Sequence, residues 1–170
     1  QKGNEIEDKA FYQCSTLRRI VIPSFITKIG EFSFEKCTSL MRITIPSSVT
    51  SIGRRAFFLC SSLIEATIPS SVTSINDQLF DNCKSLEKVT ILSSIKSIGH
   101  SSFNQCILLK QIEIPSSVAL IGSYAFNGCS SLTEIKIPSS LTKIDKCTFK
   151  DCISLVNVII PDSVTFIGDH

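Results

Sequence analysis

The sequence predicts a solenoid of the α/β type, a coil of stacked units in which each unit contributes one strand to a parallel sheet. Three observations predict it. A cysteine recurs every 23 residues, from Cys14 through Cys37, Cys60, Cys83, Cys106 and Cys129 to Cys152. A phenylalanine stands three residues before each of these cysteines and a leucine three residues after it. An isoleucine follows eight residues after each, from Ile22 to Ile160. A fixed short period marks units that cannot bury their apolar side alone and must stack. At 170 residues the chain is long enough for one domain, 1–170, of about seven such units.

Within a unit the spacing assigns each part. Leu17, Ile20 and Ile22 end in the period-two step of a strand with one face inward. Proline follows in six units (Pro23, Pro46, Pro69, Pro115, Pro138 and Pro161), with Leu92 in the remaining one. Proline has no amide hydrogen to give a ladder, so the paired strand is expected to stop there. The Ser/Thr-rich stretch that follows is read as extended, with aliphatics such as Val49 and Ile52 pointing in. Ser47, Ser48, Ser70 and Ser71 are read as turn residues that cap backbone groups. One column then holds Gly30, Gly53, Gly99, Gly122 and Gly168, with Asn76 and Asp145 in its other two places. These residue types tolerate positive φ, so a left-handed turn is expected there. The closing "xxAFxxC" is read as one helical turn, too short to stand without its neighbours.

The repeated line "LxxIxIPxSVTxIGxxAFxxC" resembles the BspA-like class of the leucine-rich repeat family over residues 10–168. Commoner repeats of that family place an asparagine soon after the strand. This region is Pro-Ser-Ser here, so no asparagine ladder is expected beside the sheet. The resemblance implies a right-handed coil, a parallel sheet on the concave face and short helical turns on the convex side. Relatives of this class are often surface proteins of mucosal bacteria and protists that act as adhesins, a functional association that a fold does not itself dictate.

Composition narrows the chemistry. Charged residues are 19% and the net charge is +2, so no broad field favours nucleic acid or an anionic membrane. No apolar run approaches the roughly 18 residues of a membrane span. The seven evenly spaced cysteines make a poor pairing scheme and contain no CxxC, so they are read as small apolar fillers of one core slot. Cys147 lies off that grid in a column otherwise holding Phe32, Arg55, Gln78, Ser101, Tyr124 and His170, and it is expected to be the solvent-accessible thiol. His100 and His170 are the only histidines. At ~4.8 Å per coil they stand roughly 14 Å apart, too far to share a metal. No serine, histidine and carboxylate converge by column, so no catalytic, cofactor or metal residue is assigned and the chain is not read as an enzyme. Thr44, Thr67 and Thr90 stack in one column and Thr27, Thr50 and Thr73 in another. Both rows are broken further along, and the preference of threonine for exposed strand positions accounts for them.

What remains is a variable surface over an invariant core. On the strand face the outward residues are Arg18, Arg19, Val21, Met41, Arg42, Ile64, Glu65, Lys88, Lys110, Gln111, Glu113, Glu134 and Lys136. Arg18, Arg19 and Arg42 are expected to cluster with Met41 and Ile64, a composition enriched at protein interfaces. Seven strands at ~4.8 Å, each about 20 Å tall, give roughly 660 Å², close to one partner's share of a standard interface. Phe32, Phe58, Leu59, Ile107, Leu108, Tyr124 and Phe166, apolar in otherwise polar columns, form a second candidate surface.

The function expected is therefore a non-enzymatic protein-binding module displayed at the cell surface or secreted, with a host or matrix protein as partner. An intracellular scaffold is the alternative, since free thiols and the lack of an Asn-x-Ser/Thr sequence suit a reducing compartment. A spacer within a longer chain is the third. Both ends fall partway through a unit, so a segment of a longer repeat protein, or end-to-end self-association through the last coil, is also expected.

Overall fold

The computed structural model describes residues 3–92 and 95–169, so His170 lies outside the described residues. In chain order the strands are β1 (Glu5–Ile6), β2 (Arg19–Val21), β3 (Lys28–Ile29), β4 (Arg42–Thr44), β5 (Ser51–Ile52), β6 (Glu65–Ile68) and β7 (Ser74–Ile75). They continue as β8 (Lys88–Ile91), β9 (Ser97–Ile98), β10 (Leu120–Ile121), β11 (Glu134–Lys136), β12 (Lys143–Ile144), β13 (Asn157–Ile159) and β14 (Phe166–Ile167). Every pairing is parallel and joins residues one unit apart, as in Arg19 with Arg42, Glu65 with Lys88 and Lys143 with Phe166. The chain is a parallel β-solenoid of about seven turns.

Two sides of the coil carry ladders. The strand face is β2-β4-β6-β8 followed by β11-β13, and the second side is β1-β3-β5, β7-β9-β10 and β12-β14. Between the two blocks of the strand face, residues 111–114 form no strand and join only through a Lys88–Gln111 bridge. Proline does stop the strands, and the exception shows why. Leu92 keeps its amide hydrogen and donates it to Ile68 O at 3.0 Å, so that ladder runs one residue further than its neighbours. After the stop, the serine two places beyond the proline donates back to a core residue of the preceding coil: Ser48 to Ile26 O at 2.6 Å, Ser117 to Ile95 O at 2.7 Å and Ser163 to Leu141 O at 2.8 Å.

The core is the set of repeated columns. Phe34, Phe57, Phe80, Phe103 and Phe126 are fully buried, as are the cysteines and leucines that accompany them. The rings stack from Phe11 to Phe149 with centroids 5.1 to 5.7 Å apart. Each buried phenylalanine contributes on the order of 2 kcal/mol by leaving water. Cysteine in this slot does more than fill it. Each Sγ in the column from Cys37 to Cys152 donates to the phenylalanine carbonyl of the preceding coil at 3.1–3.2 Å, a second bond to an oxygen that already accepts a backbone amide within its own turn, as Phe34 O does from Cys37 N at 3.1 Å.

Three expectations are corrected. No helix forms at "xxAFxxC". Two residues per unit, four apart, take positive φ there, as in Phe32 at 58° and Lys36 at 62°. Alternate amides point out of the turn to the next coil (Phe32 to Arg54 O, Phe34 to Ala56 O, Lys36 to Phe58 O), while Glu35 and Cys37 close the turn on itself. A helix is ~10 Å wide and would consume those amides internally, so it cannot restack at the pitch the strands impose. The glycine column is not the left-handed one. Of the glycines only Gly128 has positive φ, at 71°. The column is glycine because the preceding coil presses on it: a Cβ at Gly53 would lie 2.5 Å from Glu31 N, and one at Gly99 2.5 Å from Asp77 Oδ1. Cys147, finally, is buried at 2% exposure. A short side chain in its column ends beneath the adjacent turns, as Ser101 also does at 6%, whereas Phe32, Arg55 and Tyr124 reach out to half-exposure. The exposed thiol is Cys14.

Candidate functional site

The strand face presents three outward columns over the inward Ile43, Ala66, Val89, Ile112 and Ile135, all buried. One column is Arg18, Met41, Ile64, Glu87 and Lys110; the next is Arg19, Arg42, Glu65, Lys88, Gln111 and Glu134; the third is Val21, Thr44, Thr67, Thr90, Glu113 and Lys136. Of the residues expected at this face, Arg18, Arg19, Val21, Met41, Arg42, Glu65, Lys88, Lys110, Gln111, Glu113, Glu134 and Lys136 are exposed, and Ile64 is half-buried.

Two open depressions mark the face. The first, of about 760 Å³, is lined by Arg18, Arg19, Val21, Met41, Arg42, Thr44 and Pro46 over Ile20 and Ile22. The second, of about 770 Å³, lies over the coils from Gln111 to Pro161 and takes in Glu113, Glu134, Lys136, Asn157 and Ile159. Asn157 and Ile159 were absent from the expected set, although each lies one period beyond Glu134 and Lys136 in an outward column. The arginines do cluster, through the β2–β4 register, with Met41 beside them. Opposite charges one unit apart pair at the surface: Lys28 with Glu5 at 3.3 Å, Arg54 with Glu31 at 3.0 Å, Arg42 with Glu65 at 3.3 Å and Lys110 with Glu87 at 3.5 Å. Each is exposed and contributes little to stability.

The second candidate surface is largely packed on itself. The Arg55 guanidinium lies 4.0 Å from the Phe58 ring centroid and 5.6 Å from that of Phe32, and its Nε is 3.4 Å from the covered Glu35 carboxylate. Leu59, Ile107 and Tyr124 are half-buried, while Leu108 and Phe166 stand exposed. In the same region runs a polar ladder that the sequence reading did not find. Asp81, almost fully buried, accepts from Gln78 at 3.2 Å, Asn82 at 2.9 Å and Asn104 at 2.8 Å, and Asn104 accepts from Asn127 at 2.7 Å. Burial pushes the Asp81 carboxyl up, and the three amide donors hold part of that rise back. The signal was present as Asp81, Asn104 and Asn127 in one column at the 23-residue period.

The threonine hydroxyls are partly spent internally, with Thr50 donating to Thr27 O at 3.2 Å and Thr165 to Thr142 O at 3.3 Å. His100 Nε2 lies 3.1 Å from Ser101 Oγ, and the Asp77 carboxylate binds the His100 backbone amide at 2.8 Å rather than the ring. Among the described residues no group of three or more histidines, cysteines and acids is placed to hold a metal ion. Among the described residues no helix is long and apolar enough to cross a membrane. Burial raises the column thiols, Cys37 and Cys152 to about 11 and Cys83, Cys106 and Cys129 further.

A parallel coil one strand deep, with inward columns that stay apolar and freely varying outward ones, defines a solenoid of the leucine-rich repeat type. The chain belongs to the BspA type leucine rich repeat family, whose six-copy region matches residues 4–129 and again 51–170. It is similar to a leucine-rich repeat protein of T. pallidum, at 30% identity and a TM-score of 0.64 over 96% of this chain and 66% of that one. A leucine-rich repeat protein from Bacteroides ovatus matches at 34% identity and a TM-score of 0.69, over 85% of this chain and 43% of the other. A leucine rich cell surface protein from Faecalibacterium prausnitzii matches at 29% identity and a TM-score of 0.60, over 96% and 60%. This chain therefore spans less than two thirds of the length of each of these proteins. No curated protein matches it.

Proposed function

We propose that the chain is a non-enzymatic protein-binding segment of a cell-surface, adhesin-like leucine-rich repeat protein, and that the strand face is its contact surface. The observation that carries this reading is the contrast between columns. Inward positions repeat almost without change, while outward ones pass from arginine to methionine, glutamate, lysine and threonine and lie exposed on a rigid ladder. Such residues lose little conformational freedom on docking, because the backbone that holds them is already fixed. The surface location is supported by the F. prausnitzii neighbour, a cell surface protein.

Antibody labelling of intact, unpermeabilised source cells, with and without brief surface proteolysis, tests the location. Staining that protease removes is the expected result. Staining that needs permeabilisation overturns the surface reading in favour of an intracellular scaffold, which the eight free thiols also suit.

A further inference from the structure

We propose that the depression over β2 and β4 binds an acidic peptide segment that also carries an aliphatic side chain. The inference rests on the strand face being a protein-binding surface, and it narrows that surface to one end and one partner chemistry. The first argument is a charge register. At three of the four places where the strand ladders align two charged residues among the described ones, the signs are opposite: Glu5 with Lys28, Arg42 with Glu65 and Glu65 with Lys88. Arg19 with Arg42 is the one alignment of like charge, an arrangement that repels unless an anion lies between the two. Arg18 stands beside them, and neither Arg18 nor Arg19 has an ion-pair partner among the described residues. Arg42 does pair, with Glu65, but both side chains are more than half exposed and the pair exchanges readily with water or a competing carboxylate. Three planar guanidiniums match carboxylates in bidentate geometry.

The second argument is the floor. Val21 is 73% exposed and Met41 47%, both within the same depression as the arginines. A sulfated glycan or a nucleic acid offers the charge but no aliphatic group to cover them, whereas an acidic peptide offers both. Third, the far end of the face suits such a partner less, because its depression sets Glu113 and Glu134 against Lys136 alone. Glu113 and Glu134 line the second depression without an ion-pair partner among the described residues, and from Arg42 to Glu134 is four coils, about 19 Å at the strand spacing. An extended segment of three or four residues, at about 3.3 Å each, fits across the first depression without reaching the second.

Fluorescence anisotropy of a labelled tetrapeptide of glutamate and leucine tests this, with glutamine-for-glutamate and alanine-for-leucine peptides and a sulfated oligosaccharide as comparators. Saturable binding of the first peptide is expected, weakened about tenfold or more, a loss of at least 1.4 kcal/mol, by Arg18→Glu, Arg19→Glu and Arg42→Glu together. Met41→Ser is expected to weaken it by a few fold, and Glu113→Lys with Glu134→Lys to leave it unchanged. Equal binding of the glutamine peptide overturns the proposal. So does an oligosaccharide that displaces the peptide while Met41→Ser has no effect, because the site is then a simple anion site. If only the Glu113 and Glu134 reversal alters binding, this location is wrong and the strand-face reading stands. If neither set of reversals alters it, both fall.

Discussion

Coils that carry glycine at the entry to the turn and the two that carry Asn76 and Asp145 meet the same contact in different ways. At Gly30, Gly53, Gly99, Gly122 and Gly168 the backbone amide donates to an isoleucine carbonyl of the preceding coil at 2.7–2.8 Å. At Asn76 the side-chain amide takes that role, reaching Ile52 O at 2.6 Å. Asp145 has no such donor, and its carboxylate turns to Lys143 Nζ at 3.2 Å. The ladder of the second side breaks at these two places, which is why it falls into the blocks β1-β3-β5, β7-β9-β10 and β12-β14. A single Cβ in this column thus decides whether two coils close fully. An amide can bridge the gap that it opens, and a carboxylate cannot.

The strongest test is to break a closed coil. Gly53→Val should cost about 3 kcal/mol by overpacking against the backbone of Glu31, read as a fall in the urea midpoint. Gly53→Asn should cost clearly less, because its amide can reach Ile29 O as Asn76 reaches Ile52 O; equal losses would remove the bridging account. Next in size, Asn76→Leu keeps the Cβ and deletes the donor, so about 1–2 kcal/mol should be lost. In the opposite direction, Asp145→Gly should raise stability by up to about 1 kcal/mol as the amide at 145 closes on Ile121 O. Hydrogen exchange at that amide should slow; unchanged protection would mean the gap has another cause.

The thiol column crosses both kinds of coil without interruption and serves as the control, with no effect expected at neutral pH. Unfolded thiols ionise from about pH 8.5, while Cys37 and Cys152 stay protonated in the fold to about 11. Their contribution is fully present below pH 8.5 and is lost as pH rises through 11. Denaturant midpoints should be level from pH 7 to 8 and fall beyond 9 to the same degree in wild type and Asp145→Gly. Asp81, raised by burial, works against the fold once it is charged. Asp81→Asn should therefore be more stable than wild type at pH 7 and equal to it near pH 3, where both forms are neutral.

How much of this was legible in the sequence depends on whether the deciding contact was local. The Phe, Cys and Leu columns, the proline stop with its Leu92 exception and the outward strand residues all follow from a period and a side-chain type. The turn before each cysteine did not, because "AFxxC" has the spacing of a helical turn and the stacking pitch that forbids one is set by the strands across the coil. The glycine column is visible in the sequence but its cause is not, since the neighbour that requires it lies 22 or 23 residues away rather than in its own φ. The same blindness to inter-coil distance misplaced Cys147. The two depressions, likewise, exist only once the columns are laid side by side.

The flat turn in place of a helix sets how the molecule can reach. Helices pack 8–10 Å apart, so a coil backed by them must fan outward from strands spaced at about 4.8 Å and close into a horseshoe. Here the ring stack on the aromatic side repeats at 5.1 to 5.7 Å, nearly the strand spacing, and the fan barely opens. The result is a beam rather than a claw. Each further unit would lengthen it by about 5 Å without tightening its bend, so the number of units sets the distance bridged and leaves the shape offered to a partner almost unchanged.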